Sequence, residues 1–379
     1  MSKKLSGPLV LKNDTKQHFP VVGISLTISA NLIGLSFFKT RNPYTHMKKI
    51  SLSFLGAMLL LASCQKNAKQ LDQLPEEEEV ALESARQCAS QEVLDEQMRT
   101  DPERARKLEE LERKTATFTG RDQSLFRGAG KLYIPVVVNV LLPNAAQVTN
   151  EQIQRQLDVL NQDYNKSNPE LSNTSVYLAG YSYANVANCQ LEFYIQDPTT
   201  DINRKNVSGS FGTNDAVKKT SSGGLNPESP NSKLNIWVCD LSSGLLGYAQ
   251  FPGGSSATDG VVIDYQAFGT AASYPMYSQF NKGRTATHEV GHWLNLRHIW
   301  GDARCGNDLV GDTPAHDGSN GGCPSTTHAS KCTGKPLEQW MNYMDYTDDR
   351  CMYMFTAGQK VRMDAAIDGA RATWMRTTK

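Results

Sequence analysis

The sequence predicts a mixed α/β (α+β) domain between residues 128 and 379, and three observations carry that prediction. Leu132 to Leu141 is a nearly continuous β-branched and apolar run, the pattern of a strand buried on both faces. Behind it, Thr149 stands where a helix cap is expected, and Ile153, Leu157 and Leu160 follow at helical spacing. Three more short runs, Leu191–Ile195, Leu234–Cys239 and Gly260–Tyr265, read as further strands. A helix among several strands is the signature of a layered domain. The Gly-, Ser- and Asn-rich connection 199–232 is expected on the surface. Past residue 300 the chain changes character, with Cys305, Cys323, Cys332 and Cys351 scattered among Gly, Asp and Pro. Such a segment has little core of its own and would be braced by disulfides in an oxidising compartment; four cysteines allow three pairings, and the spacing does not choose. Cys189 and Cys239 fall on expected strands, where burial as small apolar residues is the default and mutual pairing the alternative.

The chain of 379 residues balances 39 Lys and Arg against 39 Asp and Glu, so there is no electrostatic reason to expect nucleic acid as a partner. Residues 47–64 have a basic start, a short apolar run and small residues before Cys64, the pattern of a secretory signal. The run is too short to span a bilayer comfortably. Its end, Leu61-Ala62-Ser63-Cys64, resembles a bacterial lipobox, which implies cleavage before Cys64 and acylation of its thiol. Residues 1–46 are then expected to be a spurious upstream extension and 47–63 a lipoprotein signal peptide. Residues 64–127 would form a tether and a helical segment. From Pro75 to about Lys114 charged residues dominate, and Pro102 is placed to open a second helix. That segment reads either as a solvated spacer or as a propeptide.

Three of the seven histidines fall in His288-Glu289-Val290-Gly291-His292-Trp293-Leu294-Asn295-Leu296-Arg297-His298. Residues four apart share a helix face, so His288 and His292 can present two imidazoles to one ion. His298 can join them if the helix stops soon after His292. Asn295 sits at that point, and Asn is among the few non-Gly residues that tolerate left-handed geometry. Three protein ligands with one open position describe a catalytic zinc. Glu289, next to the first ligand, is placed to take the proton from water at that position and pass it to the leaving amine.

This is the long zinc signature of metzincin metallopeptidases, a motif class with a known mechanism, with Asn295 in place of the usual Gly. The metzincin resemblance extends to Met341-Asn342-Tyr343-Met344-Asp345-Tyr346, with Met344 as the methionine of the Met-turn and Tyr346 as a hydroxyl that could stabilise the oxyanion. Gly247–Pro252, Asp259–Val262, Gly283–Thr287, Asp312-Thr313-Pro314, Gly322-Cys323-Pro324 and Phe355–Gln359 make the whole resemble the pappalysin family. The resemblance implies a twisted mixed sheet with a backing helix and the zinc helix above a cleft. Below the cleft it implies an irregular part holding the Met-turn and a C-terminal helix at about 356–371. It further implies disulfides Cys305–Cys332 and Cys323–Cys351, and calcium near the cleft with Asp308, Thr313 and Asp312 as ligands. Arg86-Gln87-Cys88-Ala89 resembles the cysteine-switch segment of the family's proforms, so Cys88 would hold the zinc in a latent chain.

The function so implied is a secreted, lipid-anchored zinc endopeptidase acting on proteins or peptides, made as a zymogen and monomeric after activation. Activation would fall near Arg121, Arg127 or Lys131. The enzyme would then sit in the cell envelope, at the outer membrane or cell surface, or be released once processed. The competing reading is an inactive zinc-binding lipoprotein serving as a binding module; the presence of Glu289 argues against it. A preference for basic residues is suggested by the family, but the sequence does not place the pocket, and it gives Asp302 no role.

Overall fold

Valine and isoleucine on both faces of Leu132–Leu142 make this strand, β1, the spine of the domain. In the computed structural model, which describes residues 86–118, 130–172 and 180–374, β1 pairs in parallel with β2 (Leu191–Tyr194) through its first residues. Further along it is flanked by β3 (Ile202–Asn206) and β4 (Leu234–Cys239), again in parallel. β6 (Val261–Asp264) follows β4 in parallel, and the short β5 (Gly247–Ala249) closes the order β2-β1-β4-β6-β5 as an antiparallel edge. Fully burying each Val, Leu or Ile of such a strand contributes about 1.5–3 kcal/mol. The segments predicted for residues 1–85, including the signal and Cys64, lie outside the described residues, as does the expected domain boundary at 127/128.

The helix predicted behind Thr149 is α3, Asn150–Tyr164, with the Thr149 hydroxyl accepting the Gln152 N–H at 3.2 Å. It packs against the sheet through Ile153, Leu157, Leu160 and Tyr164. The zinc-motif helix, α4 (Arg284–Trp293), is buried along its whole length, between α3 and the β5–β6 edge. The C-terminal helix, α5, runs over Ala357–Asp368, behind a capping box in which Thr356 and Gln359 exchange hydrogen bonds.

One part of the fold differs from expectation, and another narrows a reading that the sequence left open. The connection 199–232 contains β3, a strand hidden in the sequence because Asn, Arg and Lys fill most of it and only its ladder to β1 is demanded by the fold. Ahead of the domain, α1 (Ser90–Thr100) and α2 (Pro102–Thr117, with Pro102 at its first position) are not a solvated spacer. Leu94, Leu108 and Leu111 pack with Phe251, and Val93 with Trp237 and Tyr248. Arg104, 3 % exposed, donates to the carbonyls of Phe251 and Pro252, and Glu112 forms a two-pronged pair with Arg362 on α5. The large apolar side chains on these helices, Val93, Leu94, Met98, Leu108 and Leu111, all face the catalytic domain.

The lower part is irregular, as its composition implied. Cys305 bonds Cys332 and Cys323 bonds Cys351. Cys189 and Cys239 are buried and unbonded to each other, in separate apolar clusters. The Asp345 carboxylate accepts the backbone N–H of Asn320 and of Tyr346, which fixes the turn after Met344.

Candidate active site

The start of α4 is prepared by Asp349, whose Oδ2 accepts the backbone N–H of Lys282 at 2.8 Å and of Arg284 at 3.2 Å. That satisfies orphan donors and places negative charge at the positive end of the helix. One turn on, His288 and His292 face the same side. The helix then ends within three residues: Asn295 takes φ of +74°, its N–H donates to His292 O, and Leu296 N–H reaches back to Gly291 O. The reversal carries His298 beside the other two. Gly291 has no Cβ for a steric reason, since one built there would lie 2.5 Å from Met344 Sδ. The methionine thus packs directly against the helix at Gly291, next to His292.

The three Nε2 atoms converge, with His292 lying 3.1 Å from both His288 and His298. Each Nδ1 faces an acceptor: Tyr343 O at 2.7 Å, Leu296 O at 2.8 Å and Asp302 Oδ1 at 2.5 Å. Carbonyls and carboxylates only accept, so each ring carries its proton on Nδ1 and turns a bare lone pair inward. Three lone pairs at this spacing repel one another unless a cation lies between them. Tetrahedral zinc with nitrogen ligands at about 2.0–2.1 Å requires a separation only slightly larger. The donor set therefore fits zinc.

Cys88 completes the cluster. Its Sγ and the three histidine nitrogens all lie within 4.8 Å of one another, the one such group of His, Cys, Asp and Glu among the described residues. Burial, then the neighbouring Glu289, pushes the thiol pKa well up; a bound cation acts in the opposite direction and favours the thiolate. Cys88 reaches this position because its segment lies along β5 as an added parallel strand, with Leu246 N–H donating to Gln87 O and Ala89 N–H to Gly247 O.

Glu289 is 1 % exposed and sits beside the cluster, where its Oε2 accepts from Ser90 Oγ at 2.8 Å and from Cys88 Sγ at 3.4 Å. Burial pushes its carboxyl up to about 7, against the pull of those two hydrogen bonds. The Tyr346 hydroxyl lies 3.2 Å from His298 Nε2 and donates to Cys88 O at 3.2 Å. Burial raises its pKa far above the usual tyrosine range, so it stays a donor.

Sequence reasoning missed four residues here. Asp302 and Ser90 are the partners of His298 and Glu289 just described. The other two form a buried ion pair: Arg86 is 1 % exposed, with Nη2 at 2.5 Å from Asp349 Oδ1, Nη1 donating to Thr285 Oγ1 at 2.8 Å and its guanidinium 4.9 Å from the Phe280 ring centre. Position 302 is four residues past His298, which could have marked it; nothing in the sequence joins position 86 to 349. Of the residues predicted for calcium, Asp308 and Thr313 meet at 2.9 Å, and burial pushes the Asp308 carboxyl up to about 6. Asp312 is turned elsewhere, its oxygens accepting from Thr356 Oγ1 and Gly358 N at the start of α5.

The peptidase M43 family, described as pregnancy-associated plasma protein-A, matches residues 229–368. An extracellular metalloprotease of Pyricularia oryzae is 32 % identical over 249 residues, 63 % of this chain and 75 % of that protein. One from Verticillium alfalfae is 32 % identical over 244 residues, 62 % of this chain and 77 % of that protein. Among solved structures, a Tannerella forsythia promirolysin mutant shares 38 % identity at a TM-score of 0.66, covering 76 % of this chain and 96 % of that one. Mature mirolysin in complex with a cleaved peptide shares 43 % at 0.57, covering 62 % and 91 %. Fold, site and relatives together define a zinc metalloendopeptidase of the metzincin type. Within that class the chain belongs to the pappalysin family.

Proposed function

We propose that this chain is an exported endopeptidase, latent as synthesised, in which His288, His292 and His298 hold the zinc, Glu289 handles the proton and Tyr346 supports the oxyanion. The observation that carries the reading is the convergence of three inward lone pairs beside a buried carboxylate. When bound, the zinc supplies a Lewis acid that brings the pKa of water from about 15.7 towards about 7 and polarises the scissile carbonyl. Glu289, adjoining the metal without being a ligand, accepts the proton of the attacking water and returns it to the leaving amine. Tyr346 already donates to a carbonyl oxygen, that of Cys88, which stands in for the oxygen of the scissile bond.

The Arg86 contact suggests which residue flanks the cut. Asp349, Thr285 and the Phe280 face surround the Arg86 guanidinium, and we read the space it fills as the recognition site for a basic side chain of the substrate once the segment is removed. Processed enzyme should cut denatured protein next to Arg or Lys, stop when zinc is chelated, and recover when zinc is returned. Asp349→Asn should lower kcat/KM for basic sites on the order of 10²-fold, since it leaves a buried cation without its counter-charge. Cleavage insensitive to the chelator would refute the mechanism; product termini without basic residues would refute the pocket.

Export and anchoring rest on the signal segment 47–63 and the lipobox cysteine Cys64, with the relatives' designation as extracellular metalloproteases in support of secretion. The intact mass of the native protein is expected to correspond to a chain starting at acylated Cys64; a product retaining Lys3 and Lys4 would overturn this. Segment 64–127 is then the propeptide and 128–379 the catalytic domain. Calcium near Asp308 and Thr313 belongs to the same reading, supported by a buried Asp308 carboxylate that the Thr313 hydroxyl approaches at 2.9 Å; Asp312 instead accepts hydrogen bonds at the start of α5.

A further inference from the structure

We infer that Asp302 is the positioning residue of the third metal-binding histidine: its carboxylate holds the His298 imidazole in the orientation and tautomer that zinc requires. The inference rests on His298 being a zinc ligand, and it explains a difference among the three. His288 and His292 are fixed by α4 itself, and their Nδ1 atoms are held by backbone carbonyls. His298 lies beyond the helix, on a loop, where no regular element sets its ring. Its Nδ1 is the one of the three met by a charged side chain, Asp302 Oδ1 at 2.5 Å.

The loop is shaped to deliver that carboxylate. Gly301 N–H donates to His298 O, closing a turn, and both Gly301 and Asp302 take left-handed backbone, at φ of +62° and +55°. A Cβ at Gly301 would lie 2.3 Å from Asn307 N, so the backbones meet with no room for a side chain. The left-handed region is costly for most residues and tolerated by Asp, and a backbone held there by its surroundings marks a site under constraint. The ring is fixed on other sides as well: Trp300 stacks on His298 at 4.4 Å with 6° between planes, and the Tyr346 ring meets it edge-on. His298 is 2 % exposed, while Asp302, at 24 %, closes the outer side of the cluster. A carboxylate on the far nitrogen of a ligand imidazole fixes the ring and strengthens its donor nitrogen.

The test measures the metal, not turnover. Zinc affinity of the full-length chain is read by competition with a chromophoric chelator, and the cobalt(II)-loaded protein by its visible absorption. Asp302→Asn keeps the left-handed backbone and the shape but removes the charge. It should weaken zinc binding about 10–100-fold and shift the cobalt bands, while the thermal midpoint of the metal-free protein stays in place. Asp302→Ala should weaken binding at least as much, and Asp302→Asn affinity within twofold of the parent with superposable cobalt bands would overturn the inference. So would an unshifted spectrum with a lowered metal-free midpoint, which would make Asp302 a folding residue only. A parent chain that takes up no zinc, or His298→Ala binding as tightly as the parent, would instead sink the ligand assignment beneath it.

Discussion

Glu289→Ala is expected to lower kcat for peptide hydrolysis by about 10³-fold or more while the processed enzyme keeps its zinc and nearly its KM. The separation of effects follows from geometry. Nδ1 of each histidine is anchored by Tyr343, Leu296 or Asp302, and none of those contacts passes through Glu289. Removing the carboxylate therefore leaves the ligand set intact and takes away the acceptor for the water proton. Glu289→Gln sharpens the point, because it keeps the volume but cannot take up a proton at neutral pH. The measurement is steady-state hydrolysis beside zinc content by atomic absorption. A variant that loses metal and activity together would make Glu289 a residue of the metal site, and activity within tenfold of the parent would remove it from the proton transfer.

Different parts of this molecule were legible in the sequence to different degrees, for physical reasons. β1, α3 and α4 could be read because hydrophobic periodicity reports burial directly, and the zinc histidines because helix geometry converts a spacing of four into a shared face. Asn295 was legible for a similar reason: only a few residue types accept its φ of +74°. β3 was hidden because its polar side chains carry no signal and its pairing with β1 is a long-range fact. The Arg86–Asp349 contact was hidden for the same reason: Arg86 stands in the segment that resembles a cysteine switch, but its partner lies 263 positions away in sequence. The helices ahead of the domain were legible as helices, but their sparse apolar residues left spacer and propeptide equally readable. The docking that separates the two is shared by charged Arg104 and Glu112, one on backbone carbonyls and the other on Arg362.

Release of latency should depend on three side chains of one short segment, with Arg86 the strongest. Cys88 Sγ sits with the three histidine nitrogens, where it would be a fourth ligand to a bound zinc, Ser90 holds the Glu289 carboxylate, and Arg86 pairs with Asp349. The segment thus engages the metal, the proton acceptor and the proposed recognition site at once. Cys88→Ala in the uncleaved chain should raise activity or hasten self-processing, but modestly, because the backbone bonds to β5 and the other two side chains still hold the segment in the cleft. Breaking a buried ion pair by removing one partner costs about 3–5 kcal/mol, which corresponds to on the order of 10²–10⁴-fold in the ratio of closed to open segment. Arg86→Ala should therefore accelerate self-processing more than Cys88→Ala, and the double variant more than either. The rate is read as loss of the full-length band over time for each variant, and the parent carrying Glu289→Ala, unable to process itself, gives the baseline. Equal rates for parent and Cys88→Ala would show that the thiol is a bystander. Equal rates for Cys88→Ala and the double variant would show that the pocket contact adds nothing to the closed state, leaving latency to the metal alone.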